Sequence, residues 1–415
     1  MDLFWFLIYC TSAFFIFLFL PFGIFFYETD EEKEFKWRLW TAVKYELFVF
    51  IISLLVIMCT YAGLRFADLP VVANTCSSTQ TPSIFEEVNS VNTESLCVST
   101  DQTLEIVVSF PVYLIALVTF IGWFFLMVFL GAGLIALPLD LINEWRFRPR
   151  PMKEDEFTRT KQELAQKVDV LLQKGKKLLD DKVSADKKTG CGGYRERRTV
   201  RRNLSEFEAN CILVEKEFNI LDDTRQYNKK VEPMWYAMKL ILGILAFIFS
   251  LILVIHLFVY VLLKVDGKSV GPFLNALLEK LENSSASFLA TLLFSFIGFY
   301  LMFCTIKGNV KLGMRFFFFT FYPMVPKETF VNAFFFNALL INVWMFSLIQ
   351  FMVVLFSEYV RKSDISLIFE VQITHMRFYS YFMKYNVFIY ILTGIICTSI
   401  LYFILRPSER INVGQ

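Results

Sequence analysis

Seven apolar stretches of 18 residues or more constrain this chain more than any other feature: Leu3 to Tyr27, Leu47 to Leu64, Ile106 to Leu139, Met238 to Leu263, Phe288 to Ile306, Val331 to Phe356 and Val387 to Leu405. A helix rises about 1.5 Å per residue, so each suffices to cross a hydrocarbon core of roughly 30 Å. Lys239, second in the fourth stretch, is the one Asp, Glu, Lys or Arg among them. The pattern predicts an all-α polytopic membrane protein of about seven spans. Pro21 predicts a kink in the first span, and the length of the third, with Pro111 and Pro138 near its ends, predicts a tilted helix with a bent exit. The first stretch follows Asp2 without a Lys or Arg and exceeds the apolar core of a signal peptide, so it reads as a span.

The same residues exclude several classes of function. With 56% hydrophobic residues, 19% charged ones, and 41 basic against 39 acidic side chains, the chain has no basic excess to bind nucleic acid. Two histidines and eight cysteines without a CxxC pair are too few for an ordinary zinc centre, so no metal or cofactor is expected. No catalytic Ser/His/Asp set, paired intramembrane acids or HExxH is present, and the chain is read as no enzyme. Ion-coupled transporters and voltage sensors need charge at membrane depth, which these stretches do not supply. The polar residues there are His256, Asn337, Asn342 and Gln350, with Asn332 at the start of the sixth stretch. They read as hydrogen-bonding packing residues that join helices, or as the lining of a weakly polar path.

The distribution of Lys and Arg favours an N-terminus outside the cytosol or luminal, and a cytosolic C-terminus. Without the long loop 143–239, ten basic residues lie on the inner side against eight outside, and Lys33, Lys36 and Arg38 after the first span decide the balance. In that orientation Cys76 and Cys97 share the outer loop 65–105, rich in Asn, Ser and Thr, and are a candidate disulfide. Asn283-Ser284-Ser285 is an outer glycosylation sequon, whereas Asn203-Leu204-Ser205 on the inner side is expected to be silent. Phe273, Leu274, Leu277, Leu278 and Leu281 recur at helical spacing against Asn275, Glu279, Lys280 and Glu282, which predicts a short helix on the membrane surface. Ile365, Leu367, Phe369, Val371 and Ile373 alternate as in a strand, with a half-buried helix as the other reading.

The cytosolic loop carries two apolar series at spacings of three and four. The first runs through positions 157, 164, 168, 171 and 178, with Lys161 and Gly175 as exceptions; the second is Leu204, Phe207, Cys211, Val214, Phe218 and Leu221. With Gly190-Cys191-Gly192-Gly193 between them, they predict an antiparallel coiled-coil hairpin, a candidate surface for a partner. Lys187, Lys188, Arg195, Arg197, Arg198, Arg201 and Arg202 form a basic patch, suited to anionic lipid or an acidic partner, or simply a solvated turn. The chain thus divides into three spans at 1–142, the loop 143–237, and four spans with a short tail at 238–415.

Three stretches resemble one family. They are Leu20-Pro21-Phe22-Gly23-Ile24-Phe25-Phe26-Tyr27-Glu28; Gly131-Ala132-Gly133-Leu134-Ile135-Ala136-Leu137-Pro138-Leu139-Asp140 followed by Arg148-Pro149-Arg150-Pro151; and Tyr322-Pro323-Met324 leading to Asn332 through Asn342. Together they are similar to the limb-region-1-like membrane proteins, the group of the lipocalin-interacting membrane receptor and the lysosomal cobalamin escort protein. The resemblance implies an all-helical receptor or trafficking scaffold at the plasma membrane or in the endolysosomal system, without catalytic residues. It also implies about nine spans, of which this chain begins at the equivalent of the third. The expected partners are the bilayer, a membrane or trafficking protein, and anionic lipid at the basic patch, with a homodimer as a further arrangement. Passive transport or lipid movement is the alternative function.

Overall fold

The computed structural model describes residues 2–29, 33–76, 97–148, 153–187, 200, 203–204, 207, 210–222, 232–265, 268–312, 314–316, 319–321, 330–361 and 363–405. Among them, six helices are long and apolar enough to cross a bilayer, within Phe4–Glu28, Phe35–Leu64, Phe110–Arg146, Met234–Leu262, Ser287–Leu312 and Val331–Leu355. Arg377–Lys384 and Val387–Phe403, bent by 47° at a short break, make a seventh when taken as one span. The chain is an all-α polytopic membrane protein.

The first span is α1 (Asp2–Phe14) and α2 (Leu20–Glu28), joined by a wide π-type turn at Phe15–Phe19. Pro21 has no N–H for the carbonyl one turn before it, and the helix widens there without ending. Helix α3 (Phe35–Leu64) begins twelve residues before the apolar stretch Leu47 to Leu64 and carries Glu46 within it. Loop 65–105 holds a two-stranded ribbon. Strands β1 (Phe66–Cys76) and β2 (Cys97–Val107) pair antiparallel from Phe66 opposite Val107 to Cys76 opposite Cys97. Val, Thr and Ile suit these strands, and Pro70 is tolerated because a two-stranded ribbon consists only of edges. The third apolar stretch therefore starts as strand; α4 (Phe110–Arg146) follows and continues as helix past Pro138.

Helix α5 (Glu154–Lys187) leads to helical residues 203–204, 207 and 210–222, and then to α6 (Glu232–His256), extended by a wide turn at Leu257–Leu262. After the two-residue strands β3 (Lys264–Val265) and β4 (Lys268–Ser269) come α7 (Phe273–Glu282) and α8 (Ser287–Leu312). Strands β5 (Met314–Phe316) and β6 (Phe319–Phe321) pair before α9 (Val331–Leu355). The alternating segment after α9 is helical: α10 (Ser357–Val360), α11 (Asp364–Ser366), a wide turn at Leu367–Ile373 and α12 (Arg377–Lys384), followed by α13 (Val387–Leu405). Phe369 and Ile373, four apart, are both fully buried while Leu367 is exposed, so a helical period replaces the strand-like one. Asn386 takes φ 50° at the corner between α12 and α13, a conformation that asparagine tolerates better than most residues.

Two compact units divide the chain: Met1–Leu137 with Ile248–Phe403, and Pro138–Phe247 with Ile404–Gln415. The first is organised on α4, whose Trp123, Leu126 and Leu130 are fully buried. Its small residues let backbones meet. A methyl at Gly133 would run into the Cys304 carbonyl of α8, one at Gly308 into the Phe129 carbonyl of α4, and one at Gly122 into the Val343 carbonyl of α9. In the second unit Lys239, the charge of the fourth stretch, meets Glu144 at 2.6 Å.

Candidate functional site

Within the first unit the intramembrane polar residues act as connectors between helices. Gln350 on α9 is fully buried: its Oε1 accepts from Trp123 Nε1 of α4 at 2.7 Å and from the Tyr379 hydroxyl of α12. Its Nε2 donates to the Phe369 carbonyl at 3.1 Å and to Thr374 Oγ1 at 3.3 Å. One amide thus links α4, α9 and the helical segment after it, and Phe388 of α13 stacks on Trp123 at 5.1 Å between centroids. Asn337 donates to the Ala333 carbonyl at 2.8 Å and accepts from Asn309 Nδ2 of α8 at 3.3 Å; Asn342 donates to the Ala338 carbonyl of its own helix at 2.9 Å. His256, fully buried, has Nε2 at 3.1 Å from the Leu355 carbonyl, which also accepts from Asn275 Nδ2 at 3.3 Å. Leu355 ends α9, where helix geometry leaves carbonyls without partners of their own. Asn275, expected on the polar face of a surface helix, is buried for this purpose. Asn332 donates to Glu28 at 2.8 Å.

Arg377 of α12 clamps the base of the β1–β2 ribbon. Asp68 and Glu105 face each other in the register, two like charges that would repel. Arg377 Nε reaches Asp68 Oδ2 at 2.9 Å and Nη2 reaches Glu105 Oε2 at 2.6 Å, while the Asp68 amide donates to the His375 carbonyl at 3.0 Å. The guanidinium holds the Asp68 carboxyl below its ordinary pKa. At the other end, the backbone places Cys76 and Cys97 opposite each other. Directly opposed antiparallel positions have Cα atoms about 4.5–5.5 Å apart, inside the range a disulfide spans. Asn283 follows the last turn of α7, exposed, its amide donating to the Glu279 carbonyl at 3.0 Å.

In the second unit, α5 with Phe207, Cys211, Val214 and Phe218 lines a groove of about 800 Å³, with Leu164, Val168 and Leu172 on one wall and Phe207, Val214 and Phe218 on the other. Lys167 Nζ meets Glu217 Oε2 at 2.8 Å. Gly175, an exception in the apolar series, leaves room for the Phe207 ring: a methyl there would lie 2.9 Å from its tip. Leu221 is buried and Leu204 half-buried, whereas Phe218 is 53% exposed. Arg197, Arg198, Arg201 and Arg202 of the basic patch lie outside the described residues.

One functional candidate was not legible as a span residue. Glu46 on α3, just before Leu47, is 7% exposed and its two carboxylate oxygens have no hydrogen-bond partner among the described residues. The hydropathy boundary fell between it and the apolar stretch.

Fold and sites define a multi-pass helical membrane protein with a folded ribbon and a long helical insertion between its spans. The family model for LMBR1-like membrane proteins matches residues 1–190. A LIMR family protein of Arabidopsis thaliana is 29% identical over 92% of this chain and 76% of its own length, and one of Dictyostelium discoideum is 27% identical over 99% of this chain and 85% of its own. Another, of Selaginella moellendorffii, is 30% identical over 52% of this chain and 69% of its own length. The chain belongs to the LIMR family of LMBR1-like membrane proteins. No solved structure matches it.

Proposed function

We propose that this LIMR family chain is a non-enzymatic membrane receptor or adaptor, which holds a membrane or trafficking protein on the helices between its third and fourth spans. The groove beside α5 carries the reading: it is an exposed apolar surface in a segment otherwise rich in charge, lined by Val168 at 40% and Phe218 at 53% exposure. The two helical stretches form a coiled-coil hairpin in this reading, and an amphipathic helix of the partner fills the groove as a third strand of the packing. The hairpin faces the cytosol, the β1–β2 ribbon faces outward with Cys76 and Cys97 joined, and the membrane is the plasma or endolysosomal one. Lys33, Lys36 and Arg38 after the first span support that orientation, since Lys and Arg are in excess on the cytosolic side. Passive transport along Asn337, Asn342 and Gln350 is less well supported, because each amide is already engaged with protein groups.

The test is purification of the tagged full-length chain in mild detergent, with mass spectrometry of what accompanies it. A stoichiometric membrane or trafficking protein should be retained by wild type and lost both on deletion of 152–229 and in the double variant Phe207→Glu, Phe218→Glu. Unchanged capture by either variant contradicts the proposal.

A further inference from the structure

The two edges of the β1–β2 ribbon are unlike. The Asp68 N–H leaves the strand pair for the His375 carbonyl, so the backbone groups of Asp68 point away from β2. Directly opposed residues of an antiparallel pair share that property, and it recurs at every second residue. Pro70 and Val72 of β1 therefore point outward with Asp68, while Glu105, Thr103 and Asp101 of β2 point outward on the other side. The edge of β1 is closed in two ways. Pro70 has no N–H to offer, and the wide turn Leu367–Ile373 and α12 pack against the strand. The edge of β2 has neither device. Among the described residues no strand but β1 pairs with it, and no backbone bond closes its outward groups from Asp101 to Glu105.

Side chains specify what can add to this edge. Asp101, Thr103 and Glu105 share one face of the ribbon with Asp68, and Arg377 reaches Asp68 and Glu105. Asp101 is exposed, and no described residue forms an ion pair with it. The opposite face of β2 carries Leu104, 51% exposed, and Ile106. An antiparallel strand added here sets two residues, four apart, against Glu105 and Asp101, and the residue after the first of them against Leu104. Opposite charges at such positions stabilise a sheet and like charges weaken it. A second copy of β2 paired about Thr103 would set Asp101 against Glu105, acid on acid. The edge instead suits a foreign strand with basic residues on one face and apolar residues on the other.

We propose that the free edge of β2 receives an extended segment of a partner protein by strand addition, a segment in which basic and apolar residues alternate. The experiment uses the full-length chain in phosphatidylcholine nanodiscs and a fluorescent peptide of alternating lysine and valine, read by anisotropy against protein-free nanodiscs. The peptide should bind. A copy N-methylated at the lysine amides, which face β2 in this register, should bind about tenfold more weakly, as should the original peptide to Thr103→Pro. That substitution gives β2 the device that Pro70 gives β1, and it takes no bond from the ribbon because the Thr103 N–H points away from β1. Asp101→Lys should weaken the peptide about fivefold and favour one of alternating glutamate and valine. The N-methylated peptide tests the wild-type chain, so the outcome does not depend on the folding of a variant. Equal affinity for the two lysine peptides, or for Thr103→Pro and wild type, overturns strand addition. Equal affinity of wild type for the glutamate peptide overturns the charge selection. A disulfide between two copies of Thr103→Cys that blocks the peptide assigns the edge to a second copy of this chain and overturns the proposal of a foreign partner.

Discussion

Helices α3 and α4 are equally apolar, with a mean hydropathy of 2.5 over their most apolar windows, yet 6% of the α3 window is buried against 61% of the α4 window. Lipid tails are as apolar as leucine, so hydropathy brings a helix into the bilayer without deciding whether protein or lipid surrounds it. Small residues and polar connectors decide that. On α4, Gly122 and Gly133 sit against neighbouring backbones, and Trp123 donates to Gln350. On α3, Gly63 faces open space, and the Thr60 hydroxyl bonds only carbonyls of its own helix.

Replacing the small residues should break this contrast most strongly. Gly133→Leu or Gly308→Leu drives a side chain into a facing backbone and should cost about 3 kcal/mol or more, enough to remove the monodisperse peak in size-exclusion chromatography after mild heating. Gly63→Leu should leave that peak unchanged. Next, Gln350→Leu strands the Trp123 indole N–H and the Tyr379 hydroxyl and should lower stability by about 2 kcal/mol, seen as a lower melting temperature in detergent.

The ribbon sharpens the comparison through pH. Asp68 has a folded pKa below its unfolded value of about 3.9, so its contribution is complete at neutral pH and is lost as pH falls through the folded value. Hydrogen-exchange protection of β1 and β2, corrected for intrinsic rates, should stay level from about pH 7 to 5 and decline below about 4. In Arg377→Gln, where Asp68 and Glu105 face each other uncompensated, protection should already be reduced at neutral pH. The smallest effect belongs to exposed positions of α3: Leu55→Val should change stability by less than about 0.5 kcal/mol in the same melting assay.

The spans were legible because an uncharged run of about twenty residues has few alternatives, and the small-residue exit Gly131-Ala132-Gly133 carried the family resemblance without showing which backbones it meets. The polar residues His256, Asn337 and Gln350 were also visible, but their partners were not. Trp123 and Tyr379 lie 227 and 29 residues from Gln350, and no local pattern records such pairings. Two segments were only partly legible. The Asn, Ser and Thr content of 65–105 marked an exposed loop without revealing its ribbon, and the alternation at 365–373 left strand and half-buried helix both open until the burial of Phe369 and Ile373, four apart, decided for the helix. Glu46 escaped because α3 runs well beyond its apolar core.

The contrast between α3 and α4 is tested most directly by photolabelling the full-length chain in vesicles with a hydrophobic diazirine that partitions into the lipid tails. Labels should surround α3, and on α4 should fall on the stripe Ile121, Phe124 and Val128, which are 46%, 47% and 40% exposed. Equal labelling around both helices, or labels on Trp123, Leu126 and Leu130, would contradict α4 as the buried axis of the bundle.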